Sequence, residues 1–157
     1  MSGVEDRLGE IGLRVPDVAA AVAAYLPAVR DGNHIFTSGQ LPMVSGALAA
    51  TGKVGDGPGL VPAGDAKKLA QVCALNAIAA VKALVGDLDQ VTSVVKVVGF
   101  VASDPAFTGQ PGVINGASEL LAAAFGDAGF HARSAVGVAV LPLDAPVEVE
   151  IIVSVQD

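Results

Sequence analysis

The sequence predicts an α+β domain in which a β-sheet is covered on one face by two helices. Turn signals break the front of the chain into short β-prone runs. Two apolar segments at helical spacing occupy its middle, and two runs near its end alternate with period 2. A length of 157 residues suits one domain able to bury about two thirds of its unfolded surface.

In chain order, residues 4–12 place Val4, Leu8 and Ile11 among Glu5, Asp6, Arg7 and Glu10, which predicts a short amphipathic helix accessory to the core. From Val15-Pro16 the chain turns irregular, and the Ala/Val run 18–24 fits strand or helix equally. Tyr25 to Arg30 and His34 to Pro42 flank Asp31-Gly32-Asn33, the composition of a tight turn, so they predict two paired strands. Ser45-Gly46 turns the chain again before residues 47–54, which gives a three-strand meander. Gly55-Asp56-Gly57-Pro58-Gly59 lacks the glycine spacing and the directly following helix of a nucleotide loop, and reads as a connector. Asp65 is a candidate cap for a helix from about Ala66 to Val85. Leu69, Val72, Cys73, Ala77, Ala80, Val81, Leu84 and Leu88 fall on one broad face of it, and Asn76 sits inside that face in need of hydrogen-bond partners. Gly86-Asp87 ends this helix. Residues 91–102 form a β-branched run with Lys96, 107–111 a loop, and Val113, Ala117, Leu120, Leu121 and Ala124 a second helix with Asn115 and Glu119 on its other side. Gly126 to Gly129 closes that helix. Two final strands follow, one through Arg133 and one through Val147 to Val153, separated by Leu141-Pro142 and Asp144-Ala145-Pro146.

Composition narrows the function. Apolar residues make up 52% and charged residues 16%, which excludes disorder and leaves too little polar surface for a monomer, so an oligomer is expected. Aromatics at 4%, with no Trp, argue against a sugar platform or a base-stacking surface. A net charge of -7, without a basic cluster longer than Lys67-Lys68, argues against nucleic acid. The single cysteine, Cys73, allows no intrachain disulfide and reads as a buried inert thiol. The amino terminus lacks the pattern of a signal peptide, and no apolar run approaches the roughly 20 residues of a membrane helix, so a soluble cytoplasmic protein away from membranes is expected.

The candidate site begins with Arg133. On a strand it shares a face with Ala135, Gly137 and Ala139, a floor of very small residues. Such a floor leaves room for a small ligand under a guanidinium. Equally, it lets a helix or another chain pack closely beside a rim charge.

Taken together, Tyr25, Gly32-Asn33, Thr37-Ser38-Gly39-Gln40-Leu41-Pro42, Asn115, Ala132-Arg133-Ser134, Leu141-Pro142 and Val147-Glu148-Val149-Glu150 resemble the RidA family, also called YjgF or the endoribonuclease L-PSP family. The resemblance covers roughly residues 25 to 155 and implies a chorismate-mutase-like α+β fold, with residues 1–24 as an N-terminal extension packed on a domain at 25–157. It implies a homotrimer with clefts between subunits, and a last strand inserted between earlier ones. Active members hydrolyse enamines and imines (2-imino acids) to 2-oxo acids and ammonia. By that likeness Arg133 would grip the substrate carboxylate and Glu148 would aim the attacking water, with Tyr25, Ser38, Gly39 and Asn115 around the same cleft, and neither metal nor organic cofactor called for. A planar guanidinium suits a carboxylate because it binds it bidentately.

The chain departs from the family at His131, where the imine deaminases commonly have proline, and in its longer amino-terminal part, Gly55 region and stretch 106–111. These features resemble a divergent branch. His131 reads as a proton shuttle or as a hydrogen-bonding histidine at the start of a strand, and His34 as a surface residue. The readings this leaves are a cofactor-free deaminase, a non-catalytic binding module for small carboxylates such as 2-oxo acids, and, disfavoured by the acidic chain, a ribonuclease.

Overall fold

The computed structural model describes residues 2–20 and 23–157. Helix α1 (Gly3–Glu10) starts at a capping box, in which Ser2 Oγ accepts from the Glu5 amide at 3.2 Å and the Glu5 carboxylate accepts from the Ser2 amide at 3.1 Å. Its buried Val4 and Leu8 lie one turn apart and pack toward the second long helix, as the spacing predicts. Of the undecided run 18–24, positions 21 and 22 lie outside the described residues, and the others form neither helix nor strand.

Strands β1 (Ala28–Asp31) and β2 (His34–Thr37) pair around a turn in which Gly32 takes φ 59°, so Asp31-Gly32-Asn33 is the hairpin its composition predicts. The expected third strand of a meander is not part of this sheet. Strands β3 (Met43–Val44) and β4 (Ala47–Leu48) form a separate two-stranded ribbon. The reason is topological: the second edge of β2 is taken by the last strand, so the chain after Pro42 cannot pair beside β2 as a meander requires.

Helix α2 (Ala63–Val85) begins three residues before the expected start. Its N-cap is Pro62 at φ -62° with no side-chain cap, and Asp65 lies in the first turn, where a negative charge suits the helix dipole. Its buried face keeps Cys73, Ala77, Ala80 and Val81 of the predicted one and widens to Ala66, Ala70, Ala74 and Ile78, while Leu84 is 48% exposed. Small residues let α2 sit close against two partners at once, the sheet and the second long helix. By length and apolarity α2 alone among the described helices passes as a membrane span, yet ten of its residues are buried in the domain, as befits a core helix.

Strand β5 (Val91–Ala102), helix α3 (Gln110–Phe125), strand β6 (Ala132–Val138) and strand β7 (Val147–Val155) complete the chain. The sheet order is β1-β2-β7-β5-β6, with β5 and β6 parallel and every other neighbour antiparallel. The last strand is thus inserted between earlier ones. A parallel pair needs a crossover, and α3 supplies it. The predicted α+β mixed sheet is present, with α2 and α3 on one face, where Val97, Val101, Val149, Ile151 and Val153 pack with Ile78, Ile114 and Leu121. The register puts Phe36, Ile152, Val98, Phe100, Glu148, Glu150 and Val136 on the other face, which no helix among the described residues covers.

Candidate functional site

The register divides the six sequence-predicted site residues into two groups. Arg133 pairs with Val97 and stands on the helix face of the edge strand β6, whereas Glu148 pairs with Phe100 and stands on the open face of β7. Strand β5 runs between them. Two strand spacings, roughly 10 Å, and opposite faces separate the two side chains within one chain.

The first group gathers where α3 lies on β6. Arg133 Nη1 donates to Ser118 Oγ at 3.2 Å and Nη2 to the Pro111 carbonyl at 3.1 Å. Pro111, Asn115 and Ser118 follow at four- and three-residue steps on α3, so the half-buried Asn115 shares the stripe that the guanidinium spans. His131 enters the same cluster, with Nε2 at 2.9 Å from Ser118 Oγ and Nδ1 at 2.6 Å from the Gly129 carbonyl. Of the two readings of His131, the hydrogen-bonding one describes this geometry. The small-residue floor beside Arg133 is filled from within the chain. A Cβ on Gly137 would sit 2.8 Å from Gln110 Nε2, and Gln110 is itself held by Ser103 Oγ and the Phe107 carbonyl. The glycine therefore admits the start of α3, the close-packing alternative.

The second group gathers where the segment after β2 lies on β7. Gln40 and Val149 exchange backbone hydrogen bonds at 2.8 and 3.0 Å. Gly39 lies against Glu148, and a Cβ there would collide with the Glu148 carboxylate. Ser38 ties this segment to the one carrying Tyr25: its hydroxyl donates to the Leu26 carbonyl at 2.5 Å and its amide to that of Pro27 at 2.8 Å. Tyr25 is 43% exposed in the bend before β1. The half-buried Glu148 has its pKa raised from the usual 4.5, first by desolvation and then by repulsion from Glu150 two residues on.

Other chemistry-bearing residues lie elsewhere. Cys73 is buried with its thiol pKa pushed well up by desolvation. Asn76, also buried, donates to the Leu41 and Met43 carbonyls, the partners its place in an apolar face demands. His34 is exposed on β2. A cleft of about 740 Å³ opens between residues 14–20, the β3–β4 ribbon and α2, and it shares Ala19, Ala20 and Met43 with a small cavity lined by Tyr25 and Gly39. No set of three or more His, Cys, Asp or Glu among the described residues is arranged to hold a metal ion. Ser118 and the Gly39–Glu148 contact were not singled out from sequence. The three-residue step from Asn115 to Ser118 was the available signal for the first, and nothing local signals the second.

Residues 5–154 match the YjgF/chorismate-mutase-like endoribonuclease family. Over 155 residues the chain is 39% identical to Protein TCP17 of Trypanosoma cruzi, covering 98% of this chain and 95% of that protein. It also matches the crystal structure of a protein of unknown function from Agrobacterium tumefaciens, with TM-score 0.89 and 46% identity over 98% of this chain and 93% of that one. The structure of E. coli TdcF with bound serine matches with TM-score 0.62 and 25% identity, over 89% of this chain and 94% of that one.

Proposed function

As the chain belongs to the YjgF/RidA family, we propose that it is a cofactor-free hydrolase that deaminates small carboxylated imines and enamines in clefts between the subunits of a homotrimer. The observation that carries this reading is the division of the site residues between opposite sheet faces. An Arg133 group and a Glu148 group that cannot meet within one chain suit a site completed by a neighbour. The uncovered sheet face, with Phe36 40% and Val136 43% exposed, suits burial against further copies. The bound serine of TdcF, a small molecule with a carboxylate, supports the ligand class.

In this reading Arg133 holds the carboxylate through the N–H groups not committed to Ser118 and Pro111. Tyr25, Ser38, Gly39 and Asn115 shape the cleft around the imine carbon. A protonated imine is already electrophilic, and Glu148, with its pKa raised, accepts a proton from the attacking water more readily than an ordinary carboxylate does. Water adds to the carbon, the proton taken by Glu148 passes to the nitrogen of the carbinolamine, the C–N bond breaks as the hydroxyl becomes the carbonyl, and the 2-oxo acid and ammonia, with the proton the imine carried, leave. The Gly39 backbone lies against the Glu148 carboxylate and fixes its direction.

The test is a coupled assay in which an amino-acid oxidase or dehydratase generates 2-imino acids and 2-oxo acid formation is timed. Acceleration proportional to the concentration of this protein is the expected result. An unchanged rate combined with tight 2-oxo acid binding would instead establish the binding-module reading, which His131 beside Arg133 favours. A ribonuclease reading suits the chain poorly, because its net charge of -7 opposes a phosphate backbone.

A further inference from the structure

Ser118 holds Arg133 and His131 holds Ser118, and neither has a part in the proposed chemistry. A carbonyl oxygen only accepts, so the 2.6 Å contact from His131 Nδ1 to the Gly129 carbonyl places a proton on Nδ1. In the neutral imidazole Nε2 is then the acceptor, and the Ser118 hydroxyl 2.9 Å away points its proton at it. Ser118 Oγ meanwhile accepts from Arg133 Nη1 at 3.2 Å. Protonating the imidazole reverses one bond of this chain. Nε2 becomes a donor, Ser118 Oγ accepts from His131 and Arg133 together, and the hydroxyl proton is released toward whatever lies in front of the guanidinium.

Building on the reading that Arg133 anchors a carboxylate, we propose that Ser118 is a second carboxylate contact and that His131 is the positioning residue that makes it available, so that anion binding takes up one proton. No covalent bond changes. One proton passes from solvent to Nε2, and the hydroxyl proton turns from the imidazole to the ligand. The reciprocal effect follows from charge: two cations sharing one hydroxyl repel each other, and an anion in front of them relieves that repulsion, so proton and ligand strengthen each other's binding. The charged groups around His131 fit this scheme. Arg133 shares Ser118 with it; on α3 the neighbouring Glu119 is ion-paired with Lys67 at 3.0 Å; Asp127 is exposed in the preceding turn; and on β5 Lys96 reaches Ser134 on the other sheet face.

The experiment is calorimetric titration of the full chain with 2-oxobutanoate at pH 6 and pH 8, in buffers of different ionisation heat. Expected are about tenfold tighter binding at pH 6 and net proton uptake, the worth of one hydrogen bond to a charged group. Ser118→Ala should lose most of the pH difference and of the proton uptake, keeping only the direct attraction between the charged imidazole and the anion, and Ser118→Thr should retain the full difference. His131→Ala should be flat. Nitrogen-resolved NMR of the ligand-free wild type at pH 8, with His34 as the only other histidine, should show the Nδ1–H tautomer for His131. Wild-type affinity that is independent of pH, an unaltered pH dependence in Ser118→Ala, or an Nε2–H tautomer would each overturn the inference. Arg133→Ala binding as tightly as wild type would sink the anchor reading instead, and no binding by wild type would sink both.

Discussion

Replacing Arg133 with alanine tests the part of the site on which the rest depends. Of the five N–H groups of the guanidinium, one from each terminal nitrogen is committed, to Ser118 Oγ at 3.2 Å and to the Pro111 carbonyl at 3.1 Å. Enough donors remain for a bidentate carboxylate. Two charge-assisted bonds at about 1.5 kcal/mol each, the low end suited to a half-exposed group, give about 3 kcal/mol, or about 150-fold in affinity and in kcat/KM. The fold should tolerate the change: Ser118 keeps His131, Pro111 is exposed so that water reaches its carbonyl, and the structural cost should stay within about 1 kcal/mol. Lysine should rescue little, because a single ammonium cannot bridge Ser118 and Pro111 and still present two donors to a ligand. Calorimetry with 2-oxobutanoate on both variants, beside urea unfolding and light scattering, separates the effects. Equal affinities in wild type and a folded Arg133→Ala would refute the anchor role.

Four further outcomes follow from the geometry. Because the Glu148 pKa is raised by desolvation and by Glu150, kcat should fall as pH drops through a value above the usual 4.5; Glu148→Gln should abolish this limb with little effect on ligand affinity, and Glu150→Gln should move it to lower pH. A limb unmoved by Glu150→Gln in a pH–rate profile would contradict that electrostatic account. Gly39→Ala drives a methyl into the Glu148 carboxylate, so turnover should drop at least tenfold while circular dichroism stays native; wild-type turnover would show that the carboxylate direction is immaterial. Gly116 meets the backbone carbonyl of Lys67 where α3 crosses α2, a partner that cannot swing aside, so Gly116→Ala should cost about 3 kcal/mol in urea unfolding, and an unchanged midpoint would refute the close approach. The Glu5 carboxylate is held at about 2, chiefly by its hydrogen bond with Lys82 and then by the Ser2 amide. This depressed pKa gives stability that is complete above about 4.5 and lost as pH falls toward about 2, worth about 1 kcal/mol for a pair partly open to solvent. Lys82→Met should remove the larger part of that acid-side slope in unfolding measurements, leaving the share due to Ser2.

Local rules accounted for much of this chain because they depend only on residues close in sequence. Asp31-Gly32-Asn33 made a hairpin, Gly86 ended α2 at φ 76°, the β-branched run 91–102 became one strand, and the three- and four-residue steps of Val113, Ala117, Leu120, Leu121 and Ala124 made α3. Alternation at Val147, Glu148, Val149 and Glu150 also fixed which of these side chains share a face, since a strand turns successive side chains to opposite sides. Residue pattern by itself could not decide which edge each strand joins, and only the family likeness implied the inserted last strand. That choice expelled β3 and β4 from the sheet and placed β7 between β2 and β5. Nor could it decide how residues from different elements meet. Ser118 and His131 are thirteen positions apart, Gly39 and Glu148 more than a hundred, and each pair is joined only because α3 crosses between β5 and β6 and β7 returns beside the segment after β2. Residue types and spacing set the face of Arg133 and the face of Glu148. Tertiary packing set their separation, because the strand order put β5 between them and the register turned them to opposite sides.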